Sequence, residues 1–158
     1  MSLGHLHKAF TAALLDCLPR KLHHKLESWM APAQLSLVGK RSGNGIQLAH
    51  FYYVSAISIE DVPFTQVDTA TLLAQAAAWL IDNDEHRYLL EANDSAVTVK
   101  TEVVDEGKID IALEVSFIEL LELIPDEQGS VKFNGQHWCI AAPEVDIAET
   151  ITVVACHE

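Results

Sequence analysis

Cations are scarce in this chain. Ten Lys and Arg residues face 23 Asp and Glu over 158 residues, a formal net charge of −13. Non-specific binding to nucleic acid is driven by cations that displace phosphate counterions. The chain has no such global drive, and tight nucleic-acid binding is not expected. Only Arg20-Lys21-Leu22-His23-His24-Lys25 forms a local basic stretch, and no aromatic residue interleaves it. Cysteine is scarce as well. Cys17, Cys139 and Cys156 are widely spaced and make no CxxC pair, which argues against a zinc ribbon or a disulfide framework. They read as thiols in a reducing compartment. Long hydrophobic runs are missing. The central apolar stretch is broken by Gln75 and stops at Asp82, short of the about 20 residues that span a bilayer. An export signal is not expected at the start either. The stretch Ala9–Leu15 is interrupted by Thr11, ends at Asp16 and has no A-x-A type cleavage site after it.

Catalytic signatures are equally thin. There is no nucleophile elbow, Walker loop or Gly-rich dinucleotide turn. Gly43-Asn44-Gly45 is a turn, and no helix start follows it to supply amide donors for a phosphate. His5 and His7 are two apart, whereas helical metal pairs favour four. His23-His24 has the same weakness, and Cys156-His157 offers two ligands where zinc needs four. Glu114, Glu119 and Glu122 resemble acid–base carboxylates, but they lack a partner base and read better as a solvated ladder on a strand. No enzyme activity, metal or cofactor is expected.

What is present is a chain with a core. Apolar residues make up 49% and mean hydropathy is +0.15, so most of it should fold. Its length suits one domain, residues 1–158, with 143–158 as a C-terminal extension. The charge is divided. Residues 1–50 hold six cations and two carboxylates, a net of +4; residues 51–158 hold four cations and twenty-one carboxylates, a net of −17. A subunit with a basic end and an acidic surface can dock head to tail on copies of itself, and such contacts make rings when the rotation closes. On this reading the basic segment at Arg20, Lys21 and Lys25 meets an acidic surface of the next copy. Glu114, Glu119 and Glu122 are further interface candidates.

Periodicity gives the elements. Leu3, Leu6, Phe10, Ala13, Leu14 and Cys17 make one helical stripe, with Ser2 as N-cap and Pro19 as the stop. Leu22–Trp29 adds a further helical turn. Ala33–Lys40 and Ile46–Ile59 flank Arg41-Ser42-Gly43-Asn44-Gly45 and read as a hairpin. Thr65-Gln66-Val67-Asp68 has capping-box spacing before a helix over Gln66–Asp82. That helix is apolar nearly all round. Leu73, Ala77 and Leu80 are expected toward a sheet, and Leu72, Ala76 and Trp79 at a subunit boundary. Val97–Val103 and Ile109–Phe117 alternate around Asp105-Glu106-Gly107, and the alternation slips near Ile118. Val131–Phe133 and His137–Ile140 form a last hairpin around Asn134-Gly135. Ile151–Ala155 reads as an edge strand or a docking tail. The fold class is α+β, a mostly antiparallel sheet with two main helices packed on one face.

The segment His50–Gly129 carries a family resemblance. Phe51-Tyr52-Tyr53-Val54-Ser55-Ala56-Ile57-Ser58-Ile59-Glu60-Asp61 is an aromatic-led strand with an acidic end. A helix closing on Ala78-Trp79-Leu80 follows, then the Val97–Phe117 hairpin with Lys108-Ile109-Asp110-Ile111, then Glu119–Leu123. With the Ser2-Leu3-x-His5 start, this order resembles the tail completion protein R family of temperate contractile-tailed phages and prophages. The resemblance covers most of residues 2–145. It implies a structural, terminator-like virion protein that caps the head-proximal end of the tail and permits head joining. The implied partners are copies of itself in a six-fold ring, tail tube and sheath proteins, and head connector proteins. The implied setting is host cytoplasm during assembly, then the virion tail. A small acidic cytosolic binding or adaptor protein without catalytic activity is the alternative.

Overall fold

The computed structural model describes residues 3–142, 156 and 157. Three helices and seven strands follow in the order α1 (His5–Asp16), β1 (Leu26–Ser42), β2 (Gly45–Pro63), α2 (Thr69–Asn83), α3 (Ala92–Ser95), β3 (Thr98–Asp105), β4 (Lys108–Pro125), β5 (Val131–Phe133), β6 (Gln136–Ala141) and β7 (Cys156–His157). A 3-10 turn over Arg20–Lys25 replaces the further α-helical turn expected at Leu22–Trp29. Hydrogen bonding orders the strands β1-β2-β4-β6-β5, with β3 on β4 and β7 on β6. The fold is thus mostly antiparallel sheet with helices, as the α+β reading required. The chain divides into two compact units. The larger is Gly4–Gln34 with Tyr52–Ile118, and the smaller contains Leu35–Phe51 and the chain from Glu119 onward.

Alternation on β4 builds the larger unit. Ile109, Ile111, Leu113, Val115 and Phe117 are buried, while Asp110, Ala112, Glu114 and Ser116 are half-buried or exposed. Phe117 is the centre. Its ring meets Phe10 of α1 edge-on at 5.9 Å, Trp79 of α2 edge-on at 6.5 Å and Tyr53 of β2 at 5.7 Å. Phe10 and Trp79 also meet each other at 5.3 Å. Such pairs add about 0.5–1.5 kcal/mol beyond burial. The pairing of β3 on β4 is antiparallel, with Val99 opposite Leu113 and Val103 opposite Ile109.

Helix termini differ from expectation in detail. Ser2 lies outside the described residues, and α1 opens on Gly4 at φ +85°, a conformation glycine adopts freely. A side chain there would also collide with the Met30 thioether. The cap of α2 is Asp68, not Thr65. Its carboxylate accepts from the Thr71 N–H at 3.1 Å and the Thr71 hydroxyl at 2.6 Å, and these bonds hold it below the ordinary carboxylate range. Aspartate is the stronger cap at a helix N-terminus, where negative charge is favoured.

The facing of α2 is corrected too. Leu72, Ala76 and Leu80 are buried, and Ala77 is exposed. Leu80 is inside as expected. The expected and the observed inward stripes are each two Leu and one Ala; the observed one lies beside Trp79, whose ring packs on Phe10 and Phe117 and removes further apolar surface from water. Beyond α2, Arg87 ties three elements together. Its guanidinium donates to the Asp84 carboxylate (3.1 Å), to the Ser116 carbonyl on β4 (3.0 Å) and to the Ser95 carbonyl at the end of α3 (2.6 and 3.1 Å).

In the smaller unit, Ile46, Leu123 and Trp138 form a cluster flanked by Leu48, Val131, Phe133 and Ile140. The Trp138 indole donates to the Phe133 carbonyl at 2.8 Å. The last hairpin turns at Asn134 and Gly135, both at positive φ (51° and 72°), as its Asn-Gly pair predicts. The alternation of β4 slips as expected, with Phe117, Ile118 and Glu119 buried in succession. The expected strand Ile151–Ala155 lies outside the described residues. Cys17 is free, but Cys139 is disulfide-bonded, which corrects the expectation that all three cysteines are thiols. Burial, then the neighbouring Asp16, pushes the Cys17 thiol up.

Truncating Phe117→Ala should cost about 3–5 kcal/mol, the range for a buried aromatic. Val104→Ala, at an exposed position on β3, should stay within about 0.5 kcal/mol. Urea denaturation of both variants checks this; equal losses would contradict the Phe117-centred core.

Candidate assembly surfaces

Among the described residues, no three of His, Cys, Asp and Glu gather as a metal site, and no helix is long and apolar enough to cross a membrane. The most reactive-looking pair is internal. The His7 imidazole shares a hydrogen bond with the Ser55 hydroxyl, and the His7 backbone N–H donates to the Tyr53 hydroxyl at 3.1 Å. Ser55 is fully buried, so this pair fastens α1 to β2 and offers no open nucleophile.

The nine interface candidates separate by placement. Arg20 and Lys21 are exposed on the 3-10 turn that precedes β1. Lys25 is half-buried and donates to the Asp61 carbonyl at 2.9 Å. Asp61 has a left-handed backbone, φ 53°, and its N–H donates to the Asp110 carboxylate at 2.8 Å. Lys25 and Asp110 thus hold this one residue by its carbonyl and its N–H. Leu72 and Ala76 lie inside the subunit, which removes them from any outer surface. Trp79 is half-buried against Phe10 and Phe117. Glu114 is exposed, 3.8 Å from the Lys100 ammonium, a surface pair of little energetic weight. Glu119 is only 1% exposed, so the expected solvated ladder fails there. The slip at Ile118 carries it inward. Glu122 is half-buried.

Other residues emerge that the sequence reading did not single out. The outward side of α2 presents Ala70, Ala74, Ala77, Ala78 and Ile81, and Ile81 is 83% exposed. No charged residue occurs from Thr69 to Ile81. Tyr88 is 77% exposed in the turn after α2. On β1, Leu37 is 82% exposed, in the smaller unit; Trp29, in the larger, is half exposed. On β3 every residue from Thr98 to Asp105 is exposed. Exposure after folding, which depends on which strand lies outermost, was the missing signal.

Asp84 is a buried carboxylate beside a cation. Burial raises its carboxyl above the ordinary value, against the pull of Arg87, and its Oδ1 is buried without a hydrogen-bond partner. A carboxyl raised on folding contributes most below its unfolded value, about 3.9, and loses that contribution as pH rises through the folded value. The stability of the wild type relative to Asp84→Asn should therefore fall as pH rises from about 3.5 toward neutrality. Denaturation at several pH values reads it; a difference that grows with pH would contradict the assignment.

A surface with this much uncharged exposure suits an assembly component. Comparison with known proteins points the same way. Residues 5–143 match the family model described as P2 phage tail completion protein R (GpR). An uncharacterised 19.2 kDa protein from the rep-hol intergenic region of Haemophilus phage HP1 (strain HP1c1) is 30% identical over 150 residues, covering 94% of this chain and 89% of that protein. No solved structure matches. With most of its length matched by the family model and supported by a phage relative, the chain belongs to the P2 phage tail completion protein R family.

Proposed function

We propose that this protein closes the head-proximal end of a phage tail and permits head joining. Copies form a ring whose lower side fits the last tube ring and whose upper side does not template another. Growth of the tube then stops, and the upper side remains for head connector proteins. Sheath and tube proteins are its neighbours. Assembly takes place in the host cytoplasm, and the product stays in the virion tail. The role is one of interface geometry, without catalysis.

The observation that carries this reading is the family match over residues 5–143. The surface supports it in kind. A helix side without charge and a fully exposed edge strand are costly to leave in water on a protein that acts alone. The net charge of −13 supports the expectation that a passing genome is not held.

A phage or prophage with the gene deleted should accumulate DNA-filled heads and tails that do not join, and supply in trans should restore joined virions. Electron microscopy of lysates decides it. Normal joined virions in the deletion, or label on the protein at the baseplate end, would overturn the reading. The purified protein should also show no affinity for duplex DNA at physiological salt in an anisotropy titration; micromolar binding would contradict the expected indifference to DNA.

A further inference from the structure

Within the larger unit the strand order is β1-β2-β4-β3, so β1 and β3 are its two outer strands. Each outer strand presents a row of backbone N–H and C=O groups on its free side, broken in β1 at Pro32, which has no N–H. Another extended strand can replace the water on such a row. The two edges also differ from each other.

The β3 edge is apolar beyond what solvent favours. Val99 sits beside buried Leu113, and Val103 beside buried Ile109. The buried face of β4 therefore continues onto β3, where it is left uncovered: Val103 is 67% exposed. The edge is also acidic. Residues 91–106 hold Glu91, Asp94, Glu102, Asp105 and Glu106 against Lys100, a net of −4. That lysine already faces Glu114.

The turn that leads into β1 has the opposite sign, while the strand residues 26–34 carry only Glu27 as a charged residue. Residues 20–29 hold Arg20, Lys21 and Lys25 against Glu27, a net of +2. Arg20 and Lys21 are exposed beside the start of the strand. Trp29 and Met30 are exposed on β1 itself, which gives this edge apolar surface to match the valines.

We propose that the β1 edge of one copy pairs with the β3 edge of the next, joining their sheets head to tail. The occupant of each edge is therefore a second copy of this chain. Opposite charge between the basic turn before β1 and the acidic flanks of β3 favours β1 on β3, whereas β1 on β1 or β3 on β3 brings like-charged flanks together. A contact between two different edges is heterologous and repeats, as a ring requires. The setting rests on the tail-end reading above; the edge assignment rests on exposure and charge.

Two variants test it, Trp29→Lys on the β1 edge and Val103→Lys on the β3 edge. Both residues are exposed, so circular dichroism and melting should match the wild type. Sedimentation at high protein concentration should show wild-type self-association, weakened at least about tenfold in either variant alone, because a lysine on an edge opposes strand addition. Mixing the two should give a 1:1 heterodimer that grows no further, since only one intact edge of each remains. If a variant melts abnormally, hydrogen exchange of the wild type replaces it. The amides of Leu26–Gln34, Pro32 having none, and of Thr98–Asp105 should then gain protection together as concentration rises. Wild-type assembly with both variants unaffected, or with protection elsewhere, overturns the edge assignment and leaves the tail-end reading standing. A wild type that never associates, alone or on isolated tails, overturns both.

Discussion

The ring of Phe117 is the contact on which the larger unit depends. Phe10, Tyr53 and Trp79 all close on it, so α1, β2 and α2 are fixed to β4 through one side chain. Its burial sets which side of β4 is inside. That choice propagates to β3, because residues paired across strands share a face. The uncovered valines of β3 are a consequence of the same register that buries Ile109 and Leu113. Arg87 adds a second tie, from the end of α2 and α3 back to the Ser116 carbonyl. Structural rigidity here serves position: the outer strands are held at a fixed remove from the core they extend.

Much of this architecture was legible in the sequence because it is written in period two. The hairpin of β3 and β4 follows from the alternation around Asp105-Glu106-Gly107, and the last hairpin from Asn134-Gly135. Helix α2 was legible as an element but not in its facing. Apolar residues occupy nearly its whole circumference, so pattern alone could not say which stripe wins; the Leu72–Ala76–Leu80 stripe, beside Trp79, went in. The cap was misread because Thr65 has capping-box spacing, whereas Asp68 supplies a charged acceptor three residues later. Glu119 was read as solvated because β4 alternates up to Phe117. The slip at Ile118 places consecutive residues inside, and period counting loses its phase at such a step.

The candidate surface was half legible. Composition gave the sign of each segment, and Arg20 and Lys21 are indeed outside. It could not give edges, because an edge is a property of strand order, and strand order joins residues far apart in the chain. Lys25 shows the same difficulty at one residue. It counts as a cation in the sequence, but in the fold it serves the carbonyl of Asp61, the residue whose N–H Asp110 accepts. The family adds a setting in which open edges and an uncharged helix side are assets, because a phage tail component acts among other tail components.

Cryo-electron microscopy of isolated tails tests the central claim most directly. The account predicts a closed ring of this chain at the end opposite the baseplate, with β3 of each copy hydrogen-bonded to β1 of its neighbour. A single copy there, density for the chain at another place on the tail, or a ring whose β1 and β3 edges both face solvent would contradict it.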